Sequence, residues 1–445
     1  MQKGERRGTP FLCDELPSAF VARMQARLGG EWESFLGALG SSPKTAIRLH
    51  PEKGLGLFPE ADPVIWHPLG RILRERPSFE KEPFWHAGAY YVQEASGMSL
   101  RAFLPERRPL RIIDLSAAPG GKSTLILAEL GWEGGLLIAN DPEPRRRAAL
   151  QENLERWGIP AYLLTGRHPQ WWAKRYPGFF DVVVVDPPCS GEGLWRKHPK
   201  AVFQWSPANI ARLQRFQRSL LFAAKELVAP GGVLIYSTCT YAPEENEENL
   251  SFVFSESEGW KSVAWNLGEK LEEIVPVCYG ENGRGYYFYP HRGPGEGFFI
   301  SAWQKEKVHS KKVLRTGIKV NLTKRVPFHT PPGMQIFSRQ GTFYGLTEVA
   351  LSLTPSGLEA EPWSAFPLWT HNRPTHAAAL LSRFGWADHS ERKITYEEFL
   401  AYIAGCSFTS KAPLEWVTYE GRGLGWLYKG KPSLPFAWRR FLRRS

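Results

Sequence analysis

The sequence predicts an α/β fold organised around a parallel sheet, on three observations. Short β-branched runs alternate with segments of helix length between residues 111 and 158. Two further runs, in DVVVVDPPCSGEG (181–193) and GGVLIYSTCT (231–240), are near-continuously apolar and end in turn chemistry, as strands buried on both faces do. A small-residue turn, SAAPGGKST, joins the first strand to the first helix, and in such sheets ligands bind at the carboxyl ends of the strands.

Residues 10 to about 99 read as a helical and mixed amino-terminal region that carries TAIRLHP (45–51) and FWHAGAYYVQEASGM (84–98). The core opens with RIIDL (111–115), and the Gly120-Gly121 turn starts a helix running to about Leu130. LLIAND (136–141) is the next strand, its end marked by Asp141, and RRRAALQENLERWG is a helix closed by Gly158. Strand and helix alternate, so the sheet is expected to be mostly parallel. From Gln304 to Val326 the chain is lysine-rich and aperiodic, which predicts a linker. A third domain begins near Pro327 and contains TYEEFLAYIAG (395–405), where Thr395 and Glu398 fit a capping box and Ile394 with Phe399 a hydrophobic staple. The expected division is an amino-terminal extension at 1–95, a core at 96–303, a basic linker at 304–326 and a carboxyl-terminal domain at 327–445.

A chain of 445 residues exceeds what one core usually serves, which predicts two or three domains. Hydrophobic content of 42% with 23% charged residues is that of a soluble protein, and no apolar run has the length of a membrane span. Residues 1–7 are polar and basic with no apolar run behind them, and five unevenly spaced cysteines form neither a disulfide framework nor a CxxC metal pair. The expectation is a cytoplasmic monomer with no metal. The net charge of +11 favours a polyanionic partner. From Arg422 onward there are seven basic residues and no acidic ones, interleaved with Trp426, Tyr428, Phe436, Trp438 and Phe441. Cations beside aromatic faces suit RNA, and the same aromatics equally suit a small β-core.

Cys189 and Cys239 each follow a strand run, inside Asp-Pro-Pro-Cys and Ser-Thr-Cys-Thr. Thiols held at a sheet edge near a carboxylate, Asp186, can attack an electron-poor ring and divide attack and release between them. In DLSAAPGGKST the tight turn lets backbone N–H groups approach a ligand, and the helix N-terminus favours negative charge. Neither GxGxxG nor the P-loop spacing is present. Asp141, 20 residues beyond Gly121, stands where a carboxylate can accept from two ribose hydroxyls. Turn and carboxylate together suit an adenosyl ligand, whereas an isolated Asp there would be a helix N-cap. Lys122 either reaches Asp186 or points to solvent.

DLSAAPGGKST, DPPCSGEGLWRKHP, STCTYAPEENEEN and YPHRGPGEGFFIS, in this order, resemble the Nop/Sun family of S-adenosylmethionine-dependent RNA cytosine-5 methyltransferases over about residues 85–303. AGAYYVQEASGM, HNRPTHAAALL (371–381) and the basic aromatic tail resemble its bacterial RsmF-type branch, which acts on 16S ribosomal RNA of the small subunit and carries a PUA-like RNA-binding region. The resemblance implies a Rossmann-like class I core with S-adenosyl-L-methionine as cofactor. Backbone at Ser116, Ala117, Ala118, Pro119, Gly120, Gly121 and Lys122 would hold its methionine part, Asp141 its ribose, and Asp186 would lie between cofactor and base. It further implies Cys239 as nucleophile at carbon 6 and Cys189 as the group that assists release after carbon 5 is methylated. The expected partner is ribosomal RNA or the small ribosomal subunit. The same reaction on tRNA is one alternative, and a non-catalytic assembly factor is another, disfavoured because Asp186, Cys189 and Cys239 are all present.

The chain departs from the family pattern at Ser116, where Cys is usual, and at Glu296, where Asp is usual. In LLTGRHP (163–169) Thr165 stands nearest the usual adenine-side acid, so that contact is unassigned. Cys13, Cys278 and Cys406 are expected to be packed thiols, and His291 structural or phosphate-facing.

Overall fold

The structure, a computed structural model, describes residues 16–435 except 256, 266–271, 308–315, 317–319, 321, 324–329, 359–362, 371–372 and 382–388. Cys13, His371, Asn372, Phe436, Trp438 and Phe441 lie outside the described residues.

The amino-terminal part begins with helices α1 (Ser18–Leu28) and α2 (Trp32–Leu39). A four-stranded antiparallel sheet follows, from β1 (Thr45–Leu49), β2 (Asp62–Pro63), β3 (Gly70–Leu73) and β4 (Tyr90–Val92), in the order β2-β3-β1-β4. Helix α3 (Pro83–His86) precedes β4. Phe20 of α1 is fully buried against Trp195 of the core, ring centroids 4.6 Å apart, so this part packs on the core directly.

The core alternates strand and helix as predicted over 111–158 and continues to do so beyond it: β5 (Leu110–Asp114), α4 (Gly121–Leu130), β6 (Gly135–Asn140), α5 (Pro144–Trp157), β7 (Tyr162–Thr165), α6 (Pro169–Arg175), β8 (Phe180–Val185), α7 (Pro207–Leu227), β9 (Val228–Thr238) and α8 (Glu247–Phe254). Every residue of β6 and β8 is buried, which is why neither run alternates polar with apolar residues. The parallel strands stand in the order β9-β8-β5-β6-β7. From β5 the chain winds one way to β6 and β7, then crosses to β8 and β9. The carboxyl ends of β5 and β8 therefore flank the point where the winding reverses, the crevice in which such sheets bind ligands.

The sheet is mixed rather than mostly parallel. β10 (Trp260–Ser262), β11 (Ile274–Tyr279), β12 (Gly283–Phe288) and β13 (Phe298–Lys305) extend it antiparallel beyond β9. The reason is local: β11 and β12 are joined by a tight turn with no helix to carry the chain back, and such a connection reverses strand direction. Gln304 and Lys305 belong to β13, so the basic segment opens inside a strand, and Thr316 and Leu322 make isolated bridges to Pro355 and Phe337.

The carboxyl-terminal part comprises β14 (Met334–Arg339), β15 (Thr342–Thr347), α9 (Glu348–Leu353), β16 (Trp363–Ser364), β17 (Phe366–Thr370), β18 (Arg373–Pro374), α10 (His376–Ala379), β19 (Ser390–Lys393), α11 (Tyr396–Ile403), β20 (Leu414–Tyr419), β21 (Arg422–Tyr428) and β22 (Lys431–Pro432). They form two four-stranded sheets, except that β16 pairs with β7 at the edge of the core sheet. Helix α11 has the expected capping box of Thr395 and Glu398, and Ile394 and Phe399 pack in one buried cluster. Trp426 is buried, its indole N–H donating to the Thr375 carbonyl at 2.9 Å. Of the two readings of the tail aromatics, Trp426 thus follows the β-core one.

One side chain ties the three parts together. The Lys53 ammonium, buried, donates to the carbonyls of Ala87, Arg156 and Leu380 at 2.9, 3.0 and 3.1 Å. These belong to the amino-terminal part, the end of α5 and the segment after α10. Lys53→Met would keep the stem and leave three carbonyls without their donor. At about 1–3 kcal/mol for each orphaned acceptor, we expect a loss of stability on the order of 3 kcal/mol or more. Urea unfolding of the full chain measures it, and an unchanged midpoint would show that water replaces the amine.

Candidate functional site

Strands β8 and β9 run parallel with Val185 opposite Tyr236, so the segments that leave them turn at the same edge. Cys189 and Cys239 meet there, their sulfurs 3.2 Å apart. The two turns are joined at further points: the Ser190 and Thr240 hydroxyls lie 2.7 Å apart, and the Gly193 N–H donates to the Cys239 carbonyl at 2.9 Å. Gly193 is a requirement of this contact, since a Cβ there would lie 2.3 Å from the Gly297 carbonyl oxygen.

Beneath the turns lies a buried polar network that sequence reasoning missed. Glu245 accepts from the Ser190 N–H at 3.1 Å and from the Gln217 amide at 2.7 Å, and the same Gln217 amide donates to the Pro188 carbonyl at 2.9 Å. The Pro188-Cys189-Ser190 turn is therefore held from both sides. Burial raises the Glu245 carboxyl to about 7, partly offset by the hydrogen bonds from Ser190 and Gln217. Contact with Cys239, and then burial, push the Cys189 thiol well above its ordinary value, so Cys189 holds its proton at neutral pH. The only sequence signal was the acidic cluster PEENEEN that follows the Cys239 turn.

Asp186, the first residue beyond β8, accepts from the Ser237 hydroxyl at 2.9 Å and pairs with Lys122 at 2.6 Å. Lys122 thus reaches Asp186 rather than solvent. Burial disfavours its charge, but the Asp186 carboxylate outweighs that and raises its pKa. Lys122 is placed by the start of α4, whose first turn Gly120 opens with φ +117°, a conformation only glycine adopts without strain. Asp114 at the end of β5 accepts from the Ser123 hydroxyl at 2.7 Å and the Ser116 N–H at 3.3 Å, fixing the Ser116–Lys122 turn from below. Burial raises Asp114 to about 6 against those hydrogen bonds.

Asp141 is buried at the end of β6 and is not the helix N-cap; that position belongs to Glu143. Its carboxylate accepts from the Ala118 N–H at 3.3 Å and the Glu143 N–H at 3.0 Å and lies 3.6 Å from Arg146. Ser116, Asp141, Arg146, His168, Phe216 and Leu220 are among the residues that line a cavity of about 190 Å³ here. A polar end beside a carboxylate and an apolar end at Phe216 and Leu220 fit the two halves of a nucleoside. Thr165 is turned inward, its hydroxyl 2.9 Å from Asn140.

Other expectations resolve differently. Cys278 and Cys406 are exposed, not packed: Cys278 sits on β11, whose burial alternates, and Cys406 follows the last turn of α11. His291 contacts Glu31 at 2.8 Å, and Glu296 is buried 3.3 Å from Arg196. Among the described residues no group of three His, Cys, Asp or Glu is placed to hold a metal, and no helix is long and apolar enough to cross a membrane.

Residues 102–304 match the family described as 16S rRNA methyltransferase RsmB/F, and residues 16–95 match the N-terminal domain of 16S rRNA methyltransferase RsmF. The chain is 42% identical over 250 residues to ribosomal RNA small subunit methyltransferase F of Salmonella heidelberg (strain SL476), covering 52% of each. It is 34% identical over 308 residues to the protein of the same name from Klebsiella pneumoniae (strain 342), covering 65% of this chain and 63% of that one. The chain therefore spans about half to just under two thirds of these curated relatives. A methyltransferase homolog protein from Pyrococcus horikoshii shares the fold, with a TM-score of 0.52 at 23% identity over 65% of this chain and 100% of that one.

Iodoacetamide at neutral pH should label Cys278 and Cys406 at least about tenfold faster than Cys189, because the thiolate is the reactive form. Peptide mass spectrometry reads the rates. Equal labelling would mean that Cys189 is ionised.

Proposed function

We propose, from the match of residues 102–304 to the RsmB/F family of 16S rRNA methyltransferases and of residues 16–95 to the N-terminal domain of RsmF, that this chain methylates carbon 5 of a cytidine in small-subunit ribosomal RNA through a covalent bond from Cys239 to carbon 6. The observation that carries this reading is the pair of thiols 3.2 Å apart at the edge where Asp186 also sits.

Carbon 5 of cytosine is not nucleophilic until a nucleophile adds to carbon 6. The family resemblance of DPPCSGEGLWRKHP and STCTYAPEENEEN gives that attack to Cys239 and the later release to Cys189, and the raised Cys189 pKa accords with a thiol that keeps its proton. Asp186, fixed by Lys122 and Ser237, hydrogen-bonds the ring edge as electron density moves toward carbon 5. S-adenosyl-L-methionine, when bound, supplies the methyl group. The backbone of Ser116–Lys122 would hold its methionine part, Asp141 its ribose, and Phe216 with Leu220 the adenine side, a reading supported by the cavity that Ser116, Asp141, Phe216 and Leu220 line. Once the Cys239 sulfur is bonded to carbon 6, the contact that most raises the Cys189 pKa is gone. Cys189, or a water it activates, then takes the carbon 5 proton, and the electron pair expels the Cys239 thiolate. The cytosine must leave its stack to be reached in this way.

We assign RNA binding to the amino-terminal sheet and to the carboxyl-terminal sheets, which the family resemblance reads as PUA-like, an assignment supported by the net charge of +11.

Asp141→Ala should weaken S-adenosylmethionine binding by about 1.5–3 kcal/mol through loss of charge-assisted hydrogen bonds, read by calorimetry; unchanged affinity removes the ribose assignment. The thiols separate on denaturing gels with labelled rRNA. Cys239→Ala should abolish methylation and form no adduct. Cys189→Ala should attack and methylate but stall in release, leaving a slow protein–RNA band. A band with Cys239→Ala and none with Cys189→Ala would reverse the roles, and normal methylation by both variants would make the thiols structural.

A further inference from the structure

The chain that leaves the thiol pair is free of acid for a long way. From Gly193 to Lys225 there are seven lysines and arginines and no Asp or Glu. Its first part is a loop fastened at both feet. Gly193 is bound to the Cys239 carbonyl, and at the far foot the Trp205 indole donates to Glu192 at 2.7 Å. Glu192 is wholly buried and also takes Arg23 at 2.5 Å and the Tyr241 N–H at 3.0 Å. One carboxylate thus locks this loop to the turn that carries Cys239.

Between these feet a short 3-10 helix, Pro199–Gln204, turns Val202 inward and Phe203 outward. Phe203 is 86% exposed, the most exposed of the large apolar side chains among the described residues. Lys197, His198 and Lys200 beside it are exposed as well. A bare ring beside the exposed Lys200, on a loop that Glu192 fastens to the turn carrying Cys239, matches the pattern by which proteins take hold of unstacked nucleic acid: a platform for a base and charges for the flanking phosphates.

We propose that Phe203 is a stacking platform for an RNA base beside the target cytidine, with Lys200 on a neighbouring phosphate. This rests on the RNA-methylating reading above and deepens it. A flipped cytosine leaves its neighbours without a stacking partner, and an aromatic face anchored to the Cys239 turn replaces that partner at the place where it is lost. The run from Gly193 to Lys225, with seven basic residues and no acid, favours a polyanion over an ordinary protein face.

The test uses the full chain with small-subunit rRNA transcribed in vitro, and with a single-stranded oligoribonucleotide, read by fluorescence anisotropy. Stacking on one aromatic corresponds to roughly 5- to 150-fold in affinity. Phe203→Ala and Phe203→Leu should both lose affinity within that range, and Phe203→Trp should retain it. Lys200→Ala should lower the salt slope by about one. S-adenosylmethionine binding and thermal unfolding should not move in any of these variants. Wild-type affinity in Phe203→Ala overturns the proposal, and so does full rescue by Phe203→Leu, which would mean apolar contact without stacking. Loss of a protein contact with RNA affinity intact also overturns it. If the wild-type chain methylates rRNA and Phe203→Ala binds it equally well, only this inference falls; if the wild-type chain neither binds nor methylates rRNA, the functional reading itself falls.

Discussion

The site depends on one constraint, the parallel pairing of β8 with β9. Because Val185 stands opposite Tyr236, the segments beyond them start from the same level, and Cys189 and Cys239 arrive together from positions 50 residues apart. Nothing local brings them together. Both strands are buried along nearly their whole length, so slipping the register would strand apolar side chains and break the hydrogen-bond ladder at once. The distance between the thiols is therefore set by the core and not by the loops that carry them.

Each loop at this edge rests on a buried carboxylate that accepts a backbone N–H: Asp114 under Ser116, Asp141 under Ala118, Glu245 under Ser190 and Glu192 under Tyr241. Loops carry backbone donors that a sheet edge cannot satisfy, and a side-chain acceptor below them fixes their shape without covering their outer face. The outer face stays free for a ligand. Burial sets the cost of this arrangement, raising Asp114 to about 6 and Glu245 to about 7.

The parts legible in the sequence were those written in contiguous residues. The run through Val185, the helix closed by Gly158 and the Thr395 capping box are local patterns and were placed to within a residue or two. What escaped reading depends on distant partners. Trp363 and Ser364 extend the core sheet at Thr165, and a two-residue strand has no periodicity to show. Lys122 could not be assigned a direction until Asp186 was seen beside it. Glu192 and Glu245 went unassigned because burial of a carboxylate is a property of what surrounds it. Cys278 misled in the opposite sense: cysteine is usually buried, but an edge strand has a face to water.

The three-way junction at Lys53 bears on how the chain is made. Its last acceptor, the Leu380 carbonyl, lies 327 residues downstream. At about 5–20 residues per second, a ribosome needs roughly 16–65 s to reach it. During that time the amino-terminal sheet and the whole core sheet have emerged, yet the ammonium between them has only two of its three carbonyls and remains hydrated. Assembly is thus completed by docking of the carboxyl-terminal sheets, which withdraws the last water from a charge already in place. A nascent chain halted before that point would carry a finished thiol edge on an unsealed seam.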